Sequence, residues 1–147
     1  TEIAGDLERL YNITKNKTND YSPPINIPTE FIKYFVLGLF DSDGCISKTK
    51  KKRKNTVNGE YIFQISFTGT FEVCQFVRDY FESSVKIYKR HDNDINNFTV
   101  SFQGNLQIIK YLSKLYDEKS NRFSLDRKRR LFNELVAQYE HSRLCQQ

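Results

Sequence analysis

Two carboxylates two residues apart, Asp41 and Asp43, stand at the end of an unbroken apolar run, Tyr34-Phe35-Val36-Leu37-Gly38-Leu39-Phe40, and Gly44 follows them at once. Oxygen ligands in such a place suit a hard divalent cation, because magnesium binds through one or two carboxylates and completes its shell with waters and substrate phosphates. An EF-hand calcium loop is excluded. That loop needs an oxygen ligand two residues ahead of Asp41 and a bidentate Glu at its twelfth position, where this chain has Leu39 and Lys50. The bland alternative is a core helix that ends in an Asp-Gly turn.

The apolar run is helical in length and character, and it is apolar on every side. A surface helix needs only one apolar stripe, so this one is expected to be covered on two sides, by its own domain and by a second body. Residues three or four apart share a face. Ile32, Val36 and Leu39/Phe40 form the stripe for the domain's core; Tyr34, Gly38 and Ser42, with Leu37 beside them, form the other. Gly38 and Ser42 are small enough to let a second backbone approach at the end that bears the acids, which would bring two copies of Asp43 together.

Val36-Leu37-Gly38-Leu39-Phe40-Asp41-Ser42-Asp43-Gly44 resembles the nine-residue signature of the LAGLIDADG homing endonucleases, keeping its Gly, second Leu, both Asp and final Gly. The lead-in Ile27-Pro28-Thr29-Glu30-Phe31-Ile32 and the later Leu125-Asp126-Arg127-Lys128-Arg129-Arg130-Leu131-Phe132 are similar to the family's helix start and final-helix start, so the likeness brackets roughly residues 27 to 140. The resemblance implies a sequence-specific double-stranded DNA endonuclease of intron or intein type, a hydrolase using Mg2+ or Mn2+. It implies work as a homodimer or as half of a two-motif enzyme. By resemblance, Asp43 and the backbone oxygen of Ser42 bind the metal, Asp41 has a helix-end or supporting role, and Lys128 polarises the attacking water. Some members also hold a water with a polar side chain on the second strand; the matching position here is Phe67. An RNA-binding intron maturase, or a catalytically inactive DNA-binding or regulatory module of the same fold, is the alternative.

Composition agrees with a nucleic-acid partner. The chain has 147 residues, enough for one hydrophobic core, with 23 Lys and Arg against 18 Asp and Glu for a formal charge of +5. The charge is concentrated in Lys48, Lys50, Lys51, Lys52, Arg53 and Lys54 and again in Arg127, Lys128, Arg129 and Arg130. Cys45, Cys74 and Cys145 have neither disulfide nor zinc spacing, which suits an intracellular, reducing compartment, and His91 and His141 are isolated. No apolar stretch reaches the ~20 residues of a membrane span. Residues 1 to 26 read as a short helix and an Asn/Lys/Thr/Pro-rich connector, the tail of a preceding segment. Together with the start at Thr1 and the absence of Met, they suggest a processed piece. Residues 27 to 147 read as the endonuclease domain.

The elements that must position the acids follow from period and punctuation. Pro28 suits a first helical turn, so a helix is expected over 28 to 42. Strands are expected at 45 to 54 and 60 to 68, the second with Tyr61, Phe63, Ile65 and Phe67 on one face and Ile62, Gln64, Ser66 and Thr68 on the other. A helix follows over 70 to 81, then a second hairpin around Val85 to Arg90 and Phe98 to Gln103, then helices over 105 to 116 and 125 to 140. This is an α+β domain, αββαββα with one further helix. It has a four-stranded antiparallel sheet with its helices on one face and a DNA-binding saddle on the other. The outward positions are Ser47, Thr49, Lys51, Arg53, Gln64, Ser66, Thr68, Lys86, Tyr88, Arg90, Thr99, Ser101 and Gln103, none of them acidic. Such side chains suit phosphates and the base edges of a major groove, which admits a β-ribbon.

Overall fold

The structure, a computed structural model, describes residues 2–13, 20–50 and 61–144. Among these residues the order is α1 (Glu2–Tyr11), α2 (Thr29–Asp43), β1 (Cys45–Lys50), β2 (Tyr61–Gly69), α3 (Phe71–Tyr80), β3 (Ile87–Lys89), β4 (Phe98–Gln103), α4 (Asn105–Leu115) and α5 (Asp126–Leu144). The expected α+β architecture is present. Its strands pair antiparallel in the order β1-β2-β4-β3, so the two hairpins meet along β2 and β4. Expected positions Lys51 and Arg53, with Lys52 and Lys54 of the same basic run, and Cys145 lie outside the described residues.

Alternation decides which side of the sheet faces the helices. Phe63, Ile65 and Phe67 of β2, Val100 and Phe102 of β4 and Ile46 of β1 point inward and are buried. Over them lie Val36 and Phe40 of α2, Cys74 and Val77 of α3, Ile108, Leu112 and Leu115 of α4, and Phe132 and Leu135 of α5. Phe rings do the filling that Met and Trp would do elsewhere: Phe40 meets Phe67 at 5.3 Å between centroids, and Phe81 stacks on Tyr111 at 4.6 Å. Each buried aromatic of this kind contributes about 1.5 to 3 kcal/mol. Tyr61, expected on the inward face, sits at the strand's start and is 38% exposed, with the side chain of Gln138 on α5 bonded to its backbone and the Lys48 ammonium 5.3 Å from its ring centre.

Two polar fasteners fix the helices to the sheet. Asn105, the first residue of α4, donates to the Tyr61 carbonyl and accepts from the Phe63 N–H, each at 3.0 Å, so α4 starts against β2. Thr70 caps α3 by accepting from the Val73 N–H at 3.3 Å, and its hydroxyl donates to the Tyr21 carbonyl, tying the segment before α2 to the domain. Burial pushes the Cys74 thiol up to about 11, in keeping with a packing role, while Cys45 is free and exposed. Helix α1 contributes no buried residue.

Candidate active site and nucleic-acid face

Helix α2 ends where it meets the start of α5, and the two ends hold each other. One oxygen of Asp41, Oδ2, accepts the Leu125 N–H at 2.9 Å, placing a carboxylate at the positive end of α5. From the other side Lys128, only 3% exposed, donates to the carbonyls of Gly44 at 2.6 Å and Asp41 at 3.0 Å and to that of Phe40. Its ammonium also lies 4.9 Å from the centre of the Phe40 ring. Burial lowers the Lys128 pKa, and the nearby Asp41 charge opposes that shift. The expected water-polarising lysine is therefore found capping the C-terminus of α2.

Gly44 is required at this junction by close approach, its φ of −79° being ordinary. A Cβ there would stand 2.5 Å from the Phe40 carbonyl oxygen, a backbone atom that cannot swing aside. The next two residues of the motif face the other way. Asp43 is exposed, and the Ser42 hydroxyl donates to Asp43 Oδ2 at 2.9 Å, which orients the carboxylate. Among the described residues no N–H or hydroxyl donates to the Ser42 carbonyl.

Asp43 and Ser42 open into a cleft of about 650 Å³, walled also by Tyr21, Thr68, Arg90 and Asp94. Phe67, the expected second-strand position, turns away from the site: it is 1% exposed in the core, and the neighbouring Thr68, one step along the pleat, lines the cleft. Tyr21 and Asp94 were not foreseen. They lie on a connector and a turn, where sequence period carries no information about facing.

The cleft leads onto the outer sheet face, whose rows the strand register defines. Thr49 pairs with Ile62; Ser47, Gln64 and Gln103 form the next row; Ser66 and Ser101 follow beside Cys45; Thr68, Thr99 and Tyr88 form another. Lys86 and Arg90 flank β3, and the Arg90 N–H donates to the Asn97 carbonyl at 2.9 Å, continuing the hairpin by one pair. The rows carry their own bonds, Gln103 to Gln64 at 3.4 Å and Thr68 with Thr99 at 3.2 Å. No carboxylate stands on the described rows. Ile62, 43% exposed, is an apolar contact point on this face that hydrogen-bond reasoning passes over, although its even spacing with Gln64 reveals it.

The remaining expected surface lies along α2. Tyr34, Leu37 and Gly38 line an apolar groove of about 550 Å³ with Phe31 and Phe123, and a Cβ on Gly38 would meet nothing within 4 Å. Leu37 departs from its expected place: it is 2% exposed and packs in the domain's own core, reaching the groove by its edge.

An antiparallel αββαββ unit with acids at the end of its first sheet-covering helix is the fold of the homing endonucleases. Solved structures agree. I-CeuI, complexed with DNA, superposes with a TM-score of 0.55 at 13% identity over 92% of this chain and 62% of that one. I-LtrWI, bound to target DNA, gives 0.58 at 16% over 77% and 39%, and the archaeal I-Vdi141I, complexed with DNA, 0.53 at 17% over 75% and 72%. The chain thus spans less than two thirds of I-CeuI and of I-LtrWI. No curated protein matches it. The LAGLIDADG endonuclease family model matches residues 36–128, more than half of the chain, and the chain belongs to that family.

Proposed function

We propose that this domain cuts double-stranded DNA at a specific sequence with a divalent metal, as one of two halves that are either identical copies or parts of a longer chain. The observation that carries the proposal is the place of Asp43, an exposed carboxylate in a cleft that opens onto a sheet face without acids, at the end of the helix whose flank lines an uncovered apolar groove. Among the described residues no group of three His, Cys, Asp or Glu side chains comes together, so an ion here would draw its remaining ligands from DNA phosphates, waters or a second half. Asp43 and the Ser42 carbonyl are an all-oxygen pair of the kind magnesium takes when phosphates and waters fill the other positions. The donor set fits Mg2+ or Mn2+.

When bound, such an ion neutralises charge on the scissile phosphate and lowers the pKa of a water. The chain's residues do the remaining work. Ser42 orients the Asp43 carboxylate, and Arg90 at the cleft wall is placed to meet a phosphate. Ser47, Gln64, Gln103, Ser66, Ser101, Thr68, Thr99 and Tyr88 present donors and acceptors in rows to base edges. Ile62 offers an apolar contact of the sort that recognises a thymine methyl. Association of two copies through Tyr34 and Gly38 would bring two Asp43 side chains to one site. No helix among the described residues is long and apolar enough to cross a membrane.

The test is selection from a pool of randomised duplexes, followed by plasmid cleavage with and without Mg2+. Preference for one duplex, affinity that falls steeply with salt, and Mg-dependent cutting are the expected results. Equal or better binding of single-stranded RNA overturns the reading in favour of an RNA-binding relative.

A further inference from the structure

We propose that Lys128 and Asp41 are positioning residues: together they lock the α2–α5 junction so that the Ser42 carbonyl and the Asp43 carboxylate face a metal. The geometry stands independently, while its consequence for metal rests on the endonuclease reading above.

A helix leaves its last four carbonyls without intrahelical donors, and a buried helix end must satisfy them some other way. At the end of α2 the satisfaction is selective. Gly44 N–H bonds the carbonyls of Leu39 and Phe40, and Lys128 takes those of Phe40, Asp41 and Gly44. The carbonyls of Ser42 and Asp43, between the residues so engaged, are left over. A lysine ammonium has three hydrogens, and all three are committed here, so none remains for a reacting water. A cation at this end of the helix is also favoured by the helix dipole.

The lock is reciprocal. Lys128 belongs to the first turn of α5 and holds the end of α2, while Asp41 belongs to the last turn of α2 and holds the start of α5 through Leu125. Either bond alone would leave the helices free to pivot about one point; two bonds in opposite directions fix translation and tilt together. Asp41 and Asp43, two residues apart on a helix, point about 200° from each other. Fixing the Asp41 carboxylate on α5 therefore turns that of Asp43 away from α5, toward the cleft.

The experiment uses the full chain, its Lys128→Met and Asp41→Asn variants, and a temperature at which circular dichroism shows all three folded. Lys128→Met keeps bulk and removes the donors; Asp41→Asn keeps an acceptor for Leu125 and is the gentler variant should the first fail to fold. Cleavage of the selected duplex is followed against Mg2+ concentration, and binding of the same duplex is measured in Ca2+. Expected for both variants are at least a tenfold rise in half-saturating Mg2+, a rate at saturating metal within a few-fold of wild type, and unchanged DNA affinity. A rate that falls a hundredfold and is not restored by saturating metal, with half-saturation unchanged, overturns the proposal and returns Lys128 to the reacting water. If the wild type does not cut at all, the endonuclease reading fails separately. The lock is then judged by Mg2+ titration of the Asp43 carboxylate 13C signal: a weaker response in the variants supports it, and identical responses, or none in any protein, overturn it.

Discussion

The end of α2 and the flank of the same helix have opposite characters. At its end every bond is made within the domain: Asp41 to Leu125, Lys128 to three carbonyls, Gly44 pressed on Phe40. Along its flank, Tyr34 and Gly38 line a groove open to solvent, and Phe31 and Phe123 beside them are 54% and 73% exposed. The domain thus places its acid unaided yet leaves the helix that carries it half covered. Precision at the acid is intrinsic; on the proposed reading a second half completes the site.

That contrast can be broken at either region. Gly38→Val should act only on the open flank, weakening association of two halves about tenfold to a hundredfold, the cost of overpacking an interface. Thermal stability of the isolated domain should hold or rise slightly, because an added Cβ meets nothing within 4 Å and valine suits a helix better than glycine. Sedimentation with a parallel thermal melt checks both. Gly44→Ala should do the reverse, destabilising the domain by about 1 to 3 kcal/mol in chemical denaturation, since the new Cβ collides with backbone.

Smaller effects sharpen the contrast on the sheet face and on the other flank of α2. If Ile62 meets a thymine methyl, replacing thymine by uracil at one target position should weaken binding about fourfold, the worth of one buried methyl at about 0.8 kcal/mol. Ile62→Ala should erase the difference between the two duplexes in a binding titration. Least of all, Asp117 bonds Lys33 of α2 and accepts the Ser120 N–H at 2.7 Å, and these bonds hold its carboxyl down at about 2. A lowered folded-state pKa contributes stability that is present above the unfolded value near 3.8 and lost as pH falls toward about 2. Asp117→Asn should flatten the pH dependence of unfolding in that window.

Much of this architecture is legible along the chain, for physical reasons that also mark where legibility stops. The period-2 pattern of Phe63, Ile65 and Phe67 against Gln64, Ser66 and Thr68 defines both faces of β2, and the same parity finds the outer rows of β4. The apolar run and the glycine after it set α2 within one residue at each end. Long-range polar bonds are another matter. Lys128 reaches carbonyls 84 to 88 residues away, and nothing in its own neighbourhood, a basic run at a helix start, distinguishes a buried cap from a solvated charge. Leu37, which packs in the core and also lines the groove, shows a related limit: on a helix apolar all round, spacing alone does not say which stripe the core takes. Phe67 shows the limit of matching positions, since a shift of one residue along a strand exchanges core for cleft.

The central claim, that Asp43 acts through a metal on DNA, is tested most directly by Asp43→Asn on a plasmid carrying the selected target. The substitution keeps the side chain's size and removes the charge that would hold the ion, whose stabilisation of the reacting phosphate is worth several kcal/mol. The wild type should cut with Mg2+ and fall silent without it, and Asp43→Asn should cut at least about a hundredfold more slowly while binding the same duplex as tightly or more so. A wild type that binds its target with Mg2+ and never cuts, or an Asp43→Asn variant that cuts as fast, would contradict the account.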